Sequence, residues 1–258
     1  MKARKLLGII LLASVAIVGC NKVKDLETKV YEKTVVEAAA PGAPDSLSVN
    51  VKLEYPVAGT VSTALTKMVS TIVGRSFEGT VQATDIESAV EDYVDSTLKS
   101  YKTTYAEISR KGEEGTDSYI PEMSWEDNIS GEFVGFYKNF ASYLVTAYSY
   151  EGGANGLSGV IAMVFDTATG EIVPESRFFK EGVSSEVAAL LSARLEESMP
   201  DAESYETLFV KDIAPNGNFY VSDKGVTYLY NPMDIGPHSL GTICVTLPWE
   251  DVTKYVAQ

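Results

Sequence analysis

Apolar and polar residues alternate strictly from Ser46 to Tyr55. Leu47, Val49, Val51, Leu53 and Tyr55 fall on one side; Ser48, Asn50, Lys52 and Glu54 fall on the other. A period of two predicts a strand with one wet face, and Pro56 is expected to end its pairing. The period then changes. Over Thr60 to Arg75, Val61, Leu65, Met68, Val69 and Ile72 fit one helical face, with Gly74 as the stop. A clearer helix follows. Thr84 and Glu87 have capping-box spacing, and Ile86, Ala89, Val90, Tyr93, Val94, Leu98, Tyr101, Tyr105 and Ile108 recur at three- and four-residue steps. Tyrosines at that spacing read as core with hydroxyls at the rim.

A polar loop from Gly112 to Tyr119 precedes a strand pattern over Met123 to Phe136, and Lys138-Asn139 turns it into Phe140 to Tyr150. The stretch from Phe140 to Phe165 organises the chain. Two runs rich in β-branched and aromatic residues flank Gly152-Gly153-Ala-Asn-Gly156, a hairpin signal. The second run is apolar on both parities (Val160, Ala162, Val164 and Ile161, Met163, Phe165). That predicts cover on both faces and a place in the middle of a sheet. Asp166 to Gly170 reads as a turn closed by glycine. Ser184 or Ser185 is expected to cap a helix carrying Val187, Leu190, Leu191, Leu195 and Met199, with Pro200 beyond its end. Asn218 to Val221 and Val226 to Tyr230 are short strands joined through Asp223-Lys-Gly225, and Thr242 to Leu247 is another. Pro248 suits the first turn of a closing helix. This order predicts an α+β fold, a mainly antiparallel sheet with helices packed on it, over residues 46–258. An N-terminal subdomain 46–150 and a C-terminal subdomain 151–258 are a natural division.

The first residues change the setting. Lys2, Arg4 and Lys5 precede an apolar run from Leu6 to Val18, and Ile17-Val18-Gly19-Cys20 looks like the lipobox of bacterial lipoproteins. In that family the signal, here residues 1–19, is cut before the cysteine, and the Cys20 thiol carries the lipid. A membrane span is the competing reading, but it needs roughly 20 apolar residues. Residues 20–45, with mixed charges and then Ala38-Ala-Ala-Pro-Gly-Ala-Pro44, read as a tether, although Lys29 to Val36 has the pattern of an edge strand. The expected location is the bacterial cell envelope, lipid-anchored, on a periplasmic or surface-exposed membrane face. Removing Lys2, Arg4 and Lys5 leaves 18 basic against 36 acidic residues, so the formal charge falls from −15 to −18. Such a balance argues against nucleic acid as a partner and favours cationic ones. Cys244, the other cysteine, is expected to be a buried, inert thiol.

Four segments carry a resemblance. Tyr148-Ser-Tyr150-Glu-Gly-Gly153-Ala-Asn-Gly, Asp166…Thr-Gly170-Glu-Ile, Asn218-Phe-Tyr220…Asp223-Lys-Gly225-Val…Tyr228…Tyr230 and Ile235-Gly-Pro237-His-Ser-Leu-Gly241 recur in one order. Together they resemble the extracellular domain family of the anti-sigma factor RsiV, a module that also accompanies a peptidoglycan deacetylase as a non-catalytic region. The family pattern usually has histidine at Asn155 and tyrosine at His238. The resemblance covers roughly Ser46 to Val256. It implies a binding domain in the envelope, and its partner in RsiV is lysozyme. It also marks Tyr148, Tyr150, Asn155, Tyr228, Tyr230 and His238 as candidate binding residues.

The residues themselves offer no catalytic constellation. His238 is the only histidine, which excludes histidine-rich metal sites and two-histidine mechanisms. The Gly152–Gly156 loop is not followed by a helix pattern, so hairpin geometry outweighs a phosphate cradle. Glu126-Asp127, Glu196-Glu197 and Glu250-Asp251 are carboxylate neighbours that read as solvated surface. No cofactor, metal or catalytic residue is assigned. The expectation is a non-enzymatic, envelope-anchored binding module for a basic protein such as lysozyme, or for peptidoglycan. A carboxylate-based wall enzyme and a structural envelope subunit are the alternatives.

Overall fold

The structure is a computed structural model that describes the backbone of residues 22–23, 26–113 and 123–257, with side chains over 26–110 and 123–257. The apolar leader, Cys20 and most of the loop expected over 112–119 lie outside the described residues. Strands β1 (Lys22–Val23), β2 (Leu26–Ala38), β3 (Ser46–Ala58), β4 (Trp125–Tyr137), β5 (Phe140–Tyr150) and β6 (Leu157–Asp166) lie side by side in sequence order. All neighbours are antiparallel except β3 and β4. Between these two the chain crosses over through helices α1 (Ser62–Ser76) and α2 (Ile86–Glu113), which makes the pair parallel. Leu47, Val49, Val51 and Leu53 are wholly buried in a core shared with Met68 and Ile72 of α1 and Val90 and Tyr101 of α2. Each set of residues follows the period that its segment shows in the sequence.

A second unit follows: α3 (Glu175–Phe178), α4 (Ser184–Leu195), α5 (Ala202–Glu206), β7 (Phe219–Val221), β8 (Gly225–Tyr230), β9 (Ile243–Pro248) and α6 (Trp249–Val252). Strands β7, β8 and β9 form a small antiparallel sheet. Its core gathers Phe178, Leu191, Val221, Tyr228, Val245 and Leu247. The fold is therefore α+β with two mostly antiparallel sheets, as the order of elements predicts.

Several expectations need correction. The spacer expected over 20–45 is, from Leu26 to Ala38, a strand paired with β3 along its length, which contains the Lys29 to Val36 strand that the pattern offers and extends it at both ends. Part of its mixed charge is turned to α2, although Glu27 and Lys29 are exposed. Lys33 pairs with Glu91, Tyr31 O–H donates to Glu91, and Lys102 pairs with Glu37. Glu54 does not face water: it is buried, accepting from the Thr28 hydroxyl and from Phe133 N–H at 2.9 Å. A buried carboxylate needs such donors to offset its lost hydration. Pro56 does not end β3. Pairing with β4 stops at Leu53, whereas β2 follows β3 to Ala58 with a register shift between Glu27 and Thr28. Gly74 lies within α1, and the chain reverses at Glu78 (φ 49°) and Gly79 (φ 72°).

Other caps shift too. Asp85, not Thr84, caps α2, its Oδ1 accepting from Ser88 N–H at 2.9 Å. Neither Ser184 nor Ser185 caps α4, whose N-cap is Val183, and Pro248 sits one residue before α6. Cys244 is exposed, because residues of β9 alternate and Ile243, Val245 and Leu247 take the buried side. Strand β6 is an edge strand, not a central one. It is apolar on both parities because it serves two cores: Met163 and Phe165 belong to the first, Val164 to the second.

Candidate functional site

Strands β5 and β6 pair from Phe140↔Asp166 to Ser149↔Leu157, and the residues between them form a projecting tip. Glycines 152 and 153 take φ of 94° and 105°, which the reversal requires and which side chains resist. Tyr150 O–H donates to the Gly153 carbonyl at 2.9 Å, folding the loop back on its own strand. Gly156 has a different constraint: a Cβ there would meet the Tyr148 ring at 2.5–2.6 Å, so that ring packs directly on the backbone. His238 begins a short turn after Pro237, and its Nε2 lies 3.1 Å from the Gly156 carbonyl. One hydrogen bond thus joins the hairpin tip to the Ile235–Gly241 loop, although 82 residues separate its partners.

Of the six candidate residues, four meet at this rim. Asn155 and His238 are exposed, and Tyr148 and Tyr150 are half-buried. Tyr228 and Tyr230 do not join them. Both lie in β8, 0% and 3% exposed, inside the second core. Tyr230 O–H donates to the Ala214 carbonyl at 2.8 Å. Burial raises both phenols well above the ordinary tyrosine value, and the Glu175 carboxylate pushes in the same direction. They are packing residues of the second unit.

Beside the rim, a groove of about 1580 Å³ opens between β6 and the segment 210–219. Its floor is made by two asparagines that read the free edge of β6. Asn218 accepts from Ala162 N–H at 2.7 Å and donates to the Val160 carbonyl at 2.9 Å; Asn231 accepts from Val160 N–H at 2.8 Å. Side-chain amides thus replace the missing neighbour strand, which blocks edge pairing there. Glu175 lies in the wall and accepts from Gly217 N–H at 2.9 Å. Partial burial raises its carboxyl above the ordinary glutamate value, while the Gly217 amide and the Tyr228 hydroxyl pull the other way. The Tyr228 hydroxyl makes no hydrogen bond of normal geometry, so its hold on Glu175 is weak. The sequence carries no periodic signal for this groove, because its residues come from loops, from strands and from the ends of three helices.

The carboxylate neighbours divide. Glu196, Glu197 and Glu250 are exposed, as their sequence context predicts, whereas Asp251 is half-buried and paired with Arg194 at 2.8 Å. Asp127 departs further from solvated surface: it turns under α2, accepts from Tyr93 O–H, and is held above the ordinary aspartate value by burial. Among the described residues no three His, Cys, Asp or Glu side chains are placed to hold a metal ion, and no helix is long and apolar enough to cross a membrane.

Residues 176–250 match the family model described as protein of unknown function (DUF3298). No curated protein matches the chain. Among solved structures, a DUF3298 family member from Bacteroides fragilis is similar with a TM-score of 0.76 and 20% identity, covering 91% of this chain and 95% of that one. A DUF3298 family protein from Pseudomonas aeruginosa gives a TM-score of 0.65 and 13% identity over 90% and 94%. At these identities the likeness carries the fold alone, so what is shown is a DUF3298 match over the second unit and a whole-chain fold shared with two DUF3298 proteins.

Proposed function

We propose that this protein is a lipid-anchored, non-enzymatic binding module of the bacterial envelope, and that it engages a basic wall-active protein, lysozyme being the candidate. The observation that carries the reading is the rim. A hairpin tip, tied by the Tyr150–Gly153 and His238–Gly156 hydrogen bonds, carries exposed Asn155 and His238 beside half-buried Tyr148 and Tyr150. Partly exposed aromatics on a pre-organised loop are the usual anchors of a protein interface. These residues also fall in the segments that resemble the RsiV extracellular domain. The formal charge of −15, or −18 without the leader, steers a cationic partner inward. Attachment through Cys20 would hold this surface at the membrane.

The test is titration of residues 21–258 with lysozyme at low and at physiological salt. Exposed charges are screened over about 8 Å at physiological ionic strength, so attraction by charge alone fades there. Binding that persists and falls at least tenfold with Tyr150→Ala or His238→Ala is the expected result. No binding at low salt ends the proposal. In cells, Cys20→Ala is expected to release the protein from membranes into the soluble fraction.

A further inference from the structure

The groove beside the rim has a chemistry of its own. Its volume of about 1580 Å³ exceeds the roughly 300–1,000 Å³ of small-molecule pockets, so it has room for a segment of chain as well as for a compact ligand. Glu175, Glu181, Asp212 and Asp234 line it against two cations, Arg75 and Lys180. Lys180 Nζ donates to the Lys254 carbonyl at 2.6 Å, while Glu175 accepts from Gly217 N–H at 2.9 Å and Asp234 from Asn231 N–H at 2.8 Å, so four carboxylates against two cations leave the lining net negative. Glu181 and Asp212 are exposed and make no ion pair among the described residues. Val160, Ala162, Ile172, Val183 and Val210 line the same groove.

We propose that this groove receives an extended cationic peptide segment of a partner protein. A lining that combines aliphatic side chains with carboxylates suits lysine and arginine, whose methylene stems cover apolar surface while their heads reach charge. A sugar chain fits less well. Rings that stack on sugars must show a face, and the aromatic residues here, Phe179, Phe219 and Tyr230, are 6%, 2% and 3% exposed. Backbone addition to β6 is closed as well, since Asn218 and Asn231 hold the Val160 and Ala162 edge groups. Recognition therefore runs through side chains. This proposal does not rest on the rim.

A fluorescein-labelled decapeptide of alternating Lys and Leu, titrated into residues 21–258 at physiological salt, tests it, with a Glu-Leu decapeptide and chitohexaose as comparison probes. The Lys-Leu peptide is expected to bind, and its Kd to rise about tenfold in Glu175→Gln/Asp212→Asn. The charge-matched control Glu196→Gln/Glu197→Gln and the rim variant Asn155→Ala are expected to leave the Kd unchanged. On the unaltered protein, peptide addition is expected to shift the NMR amide signals of Val160 to Val164 and of Gly217, so the test survives even if a variant folds poorly. Equal weakening by the Glu196/Glu197 control, equal binding of the Glu-Leu peptide, or binding of chitohexaose alone overturns the proposal.

Discussion

Ser142 and Val221 exchange two hydrogen bonds across the junction of the two sheets. The Ser142 hydroxyl donates to the Val221 carbonyl at 2.7 Å and accepts from the Val221 N–H at 2.8 Å. Both residues are wholly buried. One side chain therefore satisfies both backbone groups of a strand residue that faces another sheet. The approach is close because Gly135, at a register shift in β4, has no side chain; a Cβ there would stand 2.4 Å from the Val221 oxygen. Tyr137 stacks on Trp249 nearby with ring centroids 3.7 Å apart, and Trp249 Nε1–H donates to the Ser222 carbonyl.

Ser142→Ala leaves the Val221 N–H and C=O buried without partners. Each such loss costs about 1–3 kcal/mol. Urea unfolding is expected to show a destabilisation of at least about 2 kcal/mol. Ser158→Ala, on the exposed part of β6, is expected to stay within about 0.5 kcal/mol. Equal effects would mean that the junction does not hold the sheets together.

The glycines separate three mechanisms. Gly170 takes φ 71°, and a Cβ there would lie 2.2 Å from the Ala64 carbonyl oxygen, which is backbone and cannot swing aside. Gly153 takes φ 105° in open space. Gly156 has ordinary φ and faces a side chain, the Tyr148 ring. Alanine is expected to cost about 1 kcal/mol at Gly153 from backbone conformation alone, and clearly more at Gly170. At Gly156 it is expected to displace the Tyr148 ring, so a change in tyrosine near-ultraviolet dichroism accompanies a smaller loss. Thermal melts of the three variants check the ranking.

How far the sequence goes is visible in the strands themselves. Period-two burial in β3 and the hairpin of β5 and β6 are local, and both are legible. Strand β2 is legible only in part, through the edge-strand pattern of Lys29 to Val36; its full length is not, because charges on it are matched by charges on α2, sixty residues away in the chain. Glu54 fails for the same reason: its polar partners, Thr28 and Phe133, arrive only with the sheet. Of the candidate residues, Asn155 and His238 lie exposed at the rim, whereas Tyr228 and Tyr230 lie in the second core, since aromatic residues in a strand read alike whether they face a core or a partner. Asn218 and Asn231 gain their meaning from the edge they cap, and no pattern in the chain announces that.

The cap of α2 gives a pH-dependent prediction. The Ser88 amide holds the Asp85 carboxyl below the ordinary aspartate value. A group with a lowered value in the folded state stabilises fully above its unfolded value, and that contribution is lost as pH falls through the folded one. Asp85→Ala is expected to cost about 1 kcal/mol at neutral pH. The gap between variant and parent then closes under acid conditions. Thr84→Ala, outside the cap, is expected to change stability little at any pH. A Thr84 effect as large as that of Asp85 would return the cap to the capping-box position.

The asparagine clasp yields the sharpest test of how the two units are joined. Asn218 holds Ala162 N–H, the Val160 carbonyl and, at 3.3 Å, the Leu229 carbonyl, so one amide bridges β6 and β8. Asn231 holds the Val160 N–H and touches the same Val160 carbonyl at 3.1 Å. Asn218→Asp keeps the shape and the acceptor but replaces a donor by a second oxygen facing two carbonyls. A carboxylate there meets repulsion where the amide donates, and burying unmatched polar atoms is costly. The variant is expected to lose at least about 2 kcal/mol at neutral pH and to recover part of it in acid, where the protonated carboxyl donates again. Asn231→Ala is expected to free the Val160 amide, whose hydrogen exchange should accelerate at least tenfold, while Val145, inside the first core, keeps its protection. Unchanged exchange at Val160 in Asn231→Ala would show that the edge of β6 is protected by cover alone, and that the amides are passengers of the packing.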